Sequence, residues 1–322
     1  MPTPARKLVL TNHQAPGDIV MLTAALRDLH RSYPGIFTTD VRTSCADLWD
    51  FNPWLTPLEE ADPSVDVIRC EYPLIQRSNQ APYHFIHGFI QNLNQQLGLR
   101  IVPTEFKGDI HLSDAETSWM SQIQELAGDD APFWIVAAGG KYDFTIKWWG
   151  IRRFQEVVDA FRGRVRFVQV GDREHHHPPL SGVIDLRGKT SLRQLVRLVY
   201  HASGVLTPVS LLMHLAAAVP VPPDRPGSRP CVVIAGGREP PHWEAYPSHQ
   251  YLHTIGALPC CETGGCWRAR TMPLGDGDQK DHPNSLCINV VGALPKCMHL
   301  ITARQVAERI ALYLQHPAYA VA

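Results

Sequence analysis

The chain lacks a strong charge of either sign, because 30 Lys and Arg residues nearly balance 31 Asp and Glu residues in its 322 positions. Nucleic-acid binding through phosphate contacts needs a basic surface, so we expect no nucleic-acid partner. No run approaches the roughly 20 apolar residues of a membrane helix, so we expect no transmembrane segment. The first residues also lack the apolar stretch of a secretory signal, which predicts a cytoplasmic protein.

Cysteine is scarce along most of the chain and concentrated near its end. Five of the eight cysteines lie between positions 260 and 297. Such a cluster indicates either a metal site or a disulfide knot, and a reducing compartment favours the metal. Four thiolates suffice for a structural, tetrahedral iron or zinc site, and we assign them to Cys261, Cys266, Cys287 and Cys297. Cys260 could replace Cys261, and a set of free thiols is the remaining interpretation.

Apolar patterning predicts an α/β protein with two successive units. We expect the first over residues 1–128 and the second over 129–322, because the polar stretch after residue 127 interrupts the periodicity. The second unit includes the cysteine-rich loop at 258–298 and a last helix at 302–314. Since ligands of open parallel sheets bind beyond the carboxyl ends of the strands, the loops there can line one crevice.

The first of these loops carries Gly17 and Asp18, at the start of an apolar helical pattern. A carboxylate at a helix N-terminus is stabilised by the helix dipole, and in a cleft it could act as a general base toward a hydroxyl. The alternative interpretation is an aspartate that only caps the helix.

A second loop follows the strand that begins the second unit and carries Gly139, Gly140, Lys141 and Lys147. Free backbone N–H groups and ammonium groups can hold a diphosphate, although the loop lacks the spacing of a Walker motif. No G-x-G-x-x-G follows a strand, which disfavours a nicotinamide oxidoreductase. The lysines could otherwise be solvated charges.

A third loop places Ser210 where a strand turns into a helix, followed by Leu211 and, one turn on, His214. The hydroxyl and the amides after it can meet an anion. The alternative is a capping serine and a histidine that packs against the sheet.

The order of these segments resembles glycosyltransferase family 9, the ADP-heptose heptosyltransferases. The matching segments are Gly17–Arg27, Lys147 and Trp149 with Phe154 and Glu156, Asp185–Leu195, and the helix that contains His214. The adjacent cysteines followed by Cys266, Trp267 and two later cysteines resemble the branch with bacterial autotransporter heptosyltransferases. In that branch a cysteine cluster holds an iron ion.

The resemblance implies the GT-B architecture, in which two Rossmann-like domains face each other, the first on the acceptor side and the second on the nucleotide-sugar side. It implies an inverting transfer of heptose from ADP-heptose to a hydroxyl, with Asp18 as the base. The donor would be held by Gly17, Gly139, Gly140, Lys141, Lys147, Ser210, Leu211 and His214. Glu174, or Asp172 in its place, would lie near the ribose, and Leu186 and Thr190 would border the base.

One departure from the family is plain, because Val209, Ser210 and Leu211 replace its Asp-Thr-Gly before the helix histidine. A related transferase with another nucleotide sugar, or a non-catalytic nucleotide-sugar-binding scaffold, therefore remains an alternative. An autotransporter serine and the lipopolysaccharide core are both compatible acceptors. The sequence is also compatible with a homo-oligomer.

Overall fold

The structure is a computed structural model that describes residues 5–72, 74, 77–225 and 227–316. Two parallel sheets organise these residues, and their strands and helices alternate along the chain. Across the described ranges, no helix combines the length and the apolar character that crossing a membrane requires.

The N-terminal half contains a three-stranded parallel sheet in the order β2-β1-β3. Its strands are Arg6–Asn12 (β1), Phe37–Thr43 (β2) and Val65–Arg69 (β3). Its helices are Pro16–Ser32 (α1), Ile86–Leu97 (α2), Asp114–Ser118 (α3) and Gln122–Ala127 (α4). The central strand β1 places three consecutive leucine and valine residues in the core, so the loop after it is held firmly at the sheet edge.

The C-terminal half contains a six-stranded parallel sheet in the order β6-β5-β4-β7-β8-β9. Its strands are Phe133–Val136 (β4), Arg166–Gln169 (β5), Ile184–Asp185 (β6), Gly204–Pro208 (β7), Cys231–Gly236 (β8) and His249–His253 (β9). This order reverses between β4 and β7, which is the switch point at which Rossmann-type sheets bind ligands. β4, β7 and β8 are buried along their whole length, as strands covered by helices on both faces must be.

The remaining helices of the described residues pack on this second sheet or flank it. They are Ile151–Ala160 (α5), Leu192–His201 (α6), Leu211–Ala218 (α7), Pro241–Glu244 (α8), Lys296–His299 (α9) and Ala303–Gln315 (α10). A short antiparallel pair, Val290–Val291 (β10) and Leu294–Pro295 (β11), lies in the cysteine-rich segment. Thr302 and Gln305 form a capping box at the start of the last helix.

The two halves share a hydrophobic core, in which α1 of the first half packs against α7 of the second. Gly108 makes this approach possible, because a Cβ there would lie 2.4 Å from Val20 Cγ1 and 2.9 Å from Ala218 Cβ. A second core lies on the other face of the larger sheet. There α10 packs on α5, and Trp149 Nε1 donates a hydrogen bond to the Ile301 carbonyl at 2.8 Å.

Most of the α/β pattern that the sequence predicts is confirmed, with two differences in the larger sheet. β6 has only two residues and β9 is partly polar, so neither carries the apolar run by which strands are recognised. The boundary predicted at residue 128 falls where Gly128 ends α4, and the division into two domains stays a prediction.

The contact between α1 and α7 can be tested with Gly108→Ala. The added methyl group would overlap both helices, so we expect the free energy of unfolding to fall by about 1–3 kcal/mol. Urea denaturation measures this change. Gly227→Ala is the matched control, since a Cβ there meets nothing within 4 Å, and an equal loss in both variants would contradict the packing argument.

Candidate active site

A cavity of about 350 Å³ lies between the two halves, at the carboxyl ends of β4, β7 and β8. The first turn of α1 forms its wall on the N-terminal side. Nine of the residues that the sequence predicts for the site line it: Gly17, Asp18, Gly139, Gly140, Lys141, Lys147, Ser210, Leu211 and His214. Three loops and a helix start that are distant in sequence therefore meet at the switch point of the larger sheet.

Asp18 both caps α1 and faces the cavity. Its Oδ2 accepts a hydrogen bond from the N–H of the N-cap residue Ala15 at 2.9 Å, which satisfies one free donor at the helix start. Burial raises the pKa of the Asp18 carboxyl, while the Tyr72 hydroxyl, the Ala15 amide and the Lys147 ammonium group act in the opposite direction. A carboxylate with a raised pKa accepts a proton more readily near neutral pH, so the cap position is compatible with a general base.

Lys147 ends the short helical segment after β4 and lies, partly buried, in a cluster of charged side chains. Its Nζ is 2.9 Å from Glu239 Oε1, and Arg238 pairs with the same carboxylate. Burial and the charge of Arg238 lower the pKa of the Lys147 ammonium group, whereas Glu244 and Asp18 oppose this shift. The lysine is therefore partly withdrawn from solvent and held by a carboxylate.

Ser210 is the N-cap of α7, as the alternative interpretation of the sequence proposes. Its Oγ accepts a hydrogen bond from the Leu212 N–H at 3.3 Å and lies 2.8 Å from Thr207 Oγ1. Because Ser210 and Leu211 also line the cavity, the N-terminus of α7 opens toward it. A helix start in this position favours an anionic ligand group.

His214 lies one turn into α7 and packs closely against α1. Its Nδ1 is 2.6 Å from the Tyr246 hydroxyl, and a Cβ added to Gly17 would lie 3.1 Å from its Cδ2. Burial, with a smaller contribution from the Lys147 charge, lowers the pKa of His214 to about 3. The imidazole is thus neutral at physiological pH. It can donate one hydrogen bond and accept another, but it adds no positive charge to the cavity.

Arg238, Glu239 and Glu244 line the same cavity and were not predicted from the sequence. The Arg238 guanidinium lies over the rings of Phe144 and Trp267, at 4.8 and 5.6 Å from their centroids. The signal available in the sequence was the pair Gly236 and Gly237, which marks the end of a strand at the predicted crevice. No local sequence pattern indicates that the side chains of Arg238, Glu239 and Glu244 line the cavity.

Three predicted donor contacts do not line this cavity. Leu186, just after the edge strand β6, is only 7% exposed because its side chain packs into the hydrophobic core. Glu174 is exposed on the loop after β5, where its N–H donates a hydrogen bond to Asp172 Oδ1. Thr190 is partly exposed just before α6. Their roles toward a ribose and a base stay predictions.

The cysteines of the last quarter gather behind the turn that follows β8. All eight cysteines of the chain are free thiols, so the disulfide alternative does not hold. The pKa of the Cys297 thiol is raised to about 12 by burial, and the nearby thiols of Cys266 and Cys287 add to the shift. Cys261 Sγ donates to the carbonyls of Thr254 and Leu258, both at 3.4 Å.

The predicted metal ligands Cys261, Cys266, Cys287 and Cys297 are therefore neighbours, but their arrangement is not that of a bound metal. Within residues 5–72, 74, 77–225 and 227–316, no group of three or more His, Cys, Asp or Glu side chains is placed to hold a metal ion. The donor chemistry of four thiols fits iron or zinc. The metal site stays a prediction.

The same cysteine-rich segment contacts the turn that carries Arg238. The N–H of Cys266 donates to the Gly237 carbonyl at 3.1 Å, and that of Trp267 donates to the Arg238 carbonyl at 3.2 Å. A Cβ on Gly237 would lie 3.1 Å from Cys261 Sγ. The segment thus supports the wall of the cavity from behind.

Comparison with known proteins points in the same direction as this geometry. A sequence model of glycosyltransferase family 9 (heptosyltransferase) matches residues 76–223. The matched segment contains Lys147, Ser210 and His214 but neither Asp18 nor the cysteine cluster. No curated protein matches the chain.

Several solved structures share the fold over nearly the whole chain. A family 9 glycosyl transferase from Veillonella parvula DSM 2008 is 15% identical with a TM-score of 0.63, and the alignment covers 97% of this chain and 98% of that one. ADP-heptose lps heptosyltransferase II from E. coli is 14% identical with a TM-score of 0.58, and the alignment covers 95% of this chain and 98% of that one. The iron-containing dodecameric glycosyltransferase TibC from enterotoxigenic E. coli H10407 is 20% identical with a TM-score of 0.64. The alignment covers 96% of this chain and 76% of that one. The family match and these folds support the resemblance to heptosyltransferases, with an α/β fold similar to theirs.

Three histidines around Tyr246 predict that the stability of the fold depends on pH. His214 is hydrogen-bonded to Tyr246, and the rings of His84 and His249 lie 5.6 and 5.1 Å from its ring. Burial lowers the pKa to about 4 for His84 and to about 3 for His214 and His249. Below about pH 6.5 the unfolded chain takes up protons that the folded chain does not, so acidification favours unfolding.

We therefore expect the free energy of unfolding to fall as the pH drops from about 6.5 to 4. Each such histidine contributes up to about 1.4 kcal/mol per pH unit. Urea denaturation at several pH values should show a shallower dependence for His249→Asn than for the parent chain. The exposed His13→Asn is the control, and an unchanged slope in His249→Asn would refute the assignment.

Proposed function

We propose that the protein is a cytoplasmic family 9 glycosyltransferase that transfers heptose from ADP-heptose to a hydroxyl acceptor with inversion. The observation that carries this proposal is the convergence of Asp18, Lys147, Ser210 and His214 on one cavity between the two halves. A carboxylate from one side and cationic or donor groups from the other match what such a transfer requires. In this proposal residues 1–128 form the acceptor-side domain and residues 129–322 the donor-side domain.

In the proposed reaction, Asp18 takes the proton of the acceptor hydroxyl while that oxygen attacks the anomeric carbon of the sugar. The bond between the anomeric carbon and the diphosphate oxygen breaks, and ADP leaves with the electron pair. Lys147, Lys141, the Ser210 hydroxyl and the amides of α7 stabilise the negative charge that develops on the diphosphate. Attack from the face opposite the leaving group inverts the anomeric configuration.

Relatives with a described donor support ADP-heptose. One solved structure of TibC is a complex with ADP-D-beta-D-heptose, and E. coli heptosyltransferase II is named for the same donor. An autotransporter serine or the lipopolysaccharide core is the acceptor in this proposal, and a homo-oligomer is the assembly, since TibC is dodecameric. The alternative with another nucleotide sugar is favoured by Val209 and Leu211, which replace the family's Asp and Gly.

Asp18→Asn tests the proposed base. The asparagine amide oxygen can still accept the Ala15 N–H, so the helix cap and the fold should persist. We expect donor hydrolysis or transfer to fall about 100- to 10,000-fold with little change in ADP-heptose affinity. The rate of ADP release and calorimetric binding measure the two effects.

The exposed Asp130→Asn is the control for this experiment. Unchanged turnover in Asp18→Asn would refute its role as base. A panel of ADP- and UDP-sugars tests the donor, because release of ADP from another sugar but not from ADP-heptose would favour the alternative transferase. Binding without turnover for every donor would favour the scaffold.

We also propose that the cysteine cluster binds a structural iron or zinc ion, as in the branch with autotransporter heptosyltransferases. Cys261, Cys266, Cys287 and Cys297 are the ligands in this proposal, with Cys260 as a substitute for Cys261. Supporting it, the thiols of Cys266 and Cys287 lie close enough to Cys297 to contribute to the raised pKa of its thiol, and TibC is iron-containing. The ion would fix the irregular segment behind the cavity and take no part in the transfer.

Elemental analysis of the purified chain should find about one iron or zinc ion per chain. The double variant Cys287→Ser with Cys297→Ser should lose the ion and melt at a lower temperature, because the segment then lacks its cross-link. Cys45→Ser, a partly buried cysteine outside the cluster, is the control and should retain it. Metal-free protein that is insensitive to chelators would refute the site.

A further inference from the structure

Two buried carboxylates of the cavity have an oxygen atom without a partner. Glu239 and Glu244 are 3% and 5% exposed, and both line the cavity. Glu239 uses Oε1 to pair with Lys147 and Arg238, which leaves its Oε2 free of hydrogen bonds. Glu244 Oε2 likewise has no hydrogen-bond partner in the described part of the chain. Buried polar atoms are rarely left unpaired, so each of these two cavity-lining carboxylates has one oxygen with capacity to accept a further hydrogen bond.

The charges of the cavity divide its lining by chemistry. Lys141, Lys147 and the N-terminus of α7 suit a diphosphate, whereas a phosphate beside a free carboxylate would be repelled. Glu239 Oε2, which does not pair with Lys147, and Glu244 Oε2 would therefore be satisfied by an uncharged part of the ligand that can donate hydrogen bonds. Hydroxyl groups meet this requirement, and the rings of Trp243 and Trp267 beside them supply the apolar surface that the carbon skeleton of a sugar needs.

We propose that Glu244 and Glu239 accept hydrogen bonds from the hydroxyl groups of the transferred sugar and determine which sugar is selected. This inference rests on the proposed function, because it assumes a nucleotide-sugar donor in this cavity. Glu244 lies at the end of α8 and Glu239 on the turn after β8, so one loop region carries both contacts. Carboxylates suit this task, since charged acceptors form stronger hydrogen bonds than neutral ones.

The test compares the affinities of ADP and ADP-heptose by calorimetry for the full chain and for Glu244→Gln. We expect the parent chain to bind ADP-heptose more tightly than ADP. Glu244→Gln should weaken the affinity for ADP-heptose about tenfold and change the affinity for ADP by no more than about twofold, because only the sugar loses a charged hydrogen-bond acceptor. Glu308→Gln, an exposed position on α10, should change neither affinity.

Glu239→Gln provides a second measurement, since it also removes the carboxylate that neutralises Lys147. It should lower the ratio of ADP-heptose to ADP affinity without weakening ADP, because the freed cations attract the diphosphate. An unchanged ratio in both variants, or equal loss of both ligands in Glu244→Gln, would overturn the inference. If the parent chain selects another ADP-sugar, the same ratio is measured with that sugar.

The failure of this inference differs from the failure of the proposed function. A parent chain that binds neither ADP nor any ADP-sugar would refute the nucleotide-sugar site itself. A parent chain that binds ADP, but gains no affinity from the sugar, would overturn only the role of the two glutamates. Circular dichroism of each variant shows whether a loss of binding is a loss of fold.

Discussion

The site depends on the neutralisation of a partly buried ammonium group, that of Lys147. A desolvated lysine costs several kcal/mol unless carboxylates compensate it. Lys147 is compensated by Glu239 at 2.9 Å and by the more distant charges of Glu244 and Asp18. These residues come from the segment after β4, the region after β8 and the first turn of α1. The charge balance therefore holds only when both halves and the loops between them are in their observed places.

The turn after β8 connects this charge cluster to the cysteine-rich segment. Gly236 and Gly237 leave room for Met298 and Cys261 behind them, and the next two residues, Arg238 and Glu239, point into the cavity. Backbone hydrogen bonds from Cys266 and Trp267 fix the carbonyls of this turn. Arg238 and Glu239 need such support to keep their positions at the cavity, since small displacements weaken electrostatic contacts with a ligand. The segment can thus influence the site without contacting a ligand.

The close contact between α1 and α7 sets the width of the cavity. Gly17 allows the backbone of α1 to approach His214, and Gly108 allows the neighbouring loop to pass between Val20 and Ala218. The same helices present Asp18 and Ser210 at their first turns. The capping roles that the sequence suggests as alternatives are thus compatible with a functional site, because a helix start exposes both its cap and its unpaired N–H groups.

The sequence by itself determined most strands and helices, though not β6 and β9, and the loops that end at the cavity, including the positions of Asp18, Lys147 and Ser210. Local periodicity reports which face of an element is buried, and the carboxyl ends of parallel strands converge by topology. Only the tertiary structure decided that Leu186 is part of the core, that Glu239 pairs with Lys147, and that the thiols stand near one another without ligand geometry. These outcomes depend on packing and charge compensation between segments that are remote in sequence, for which no local pattern exists.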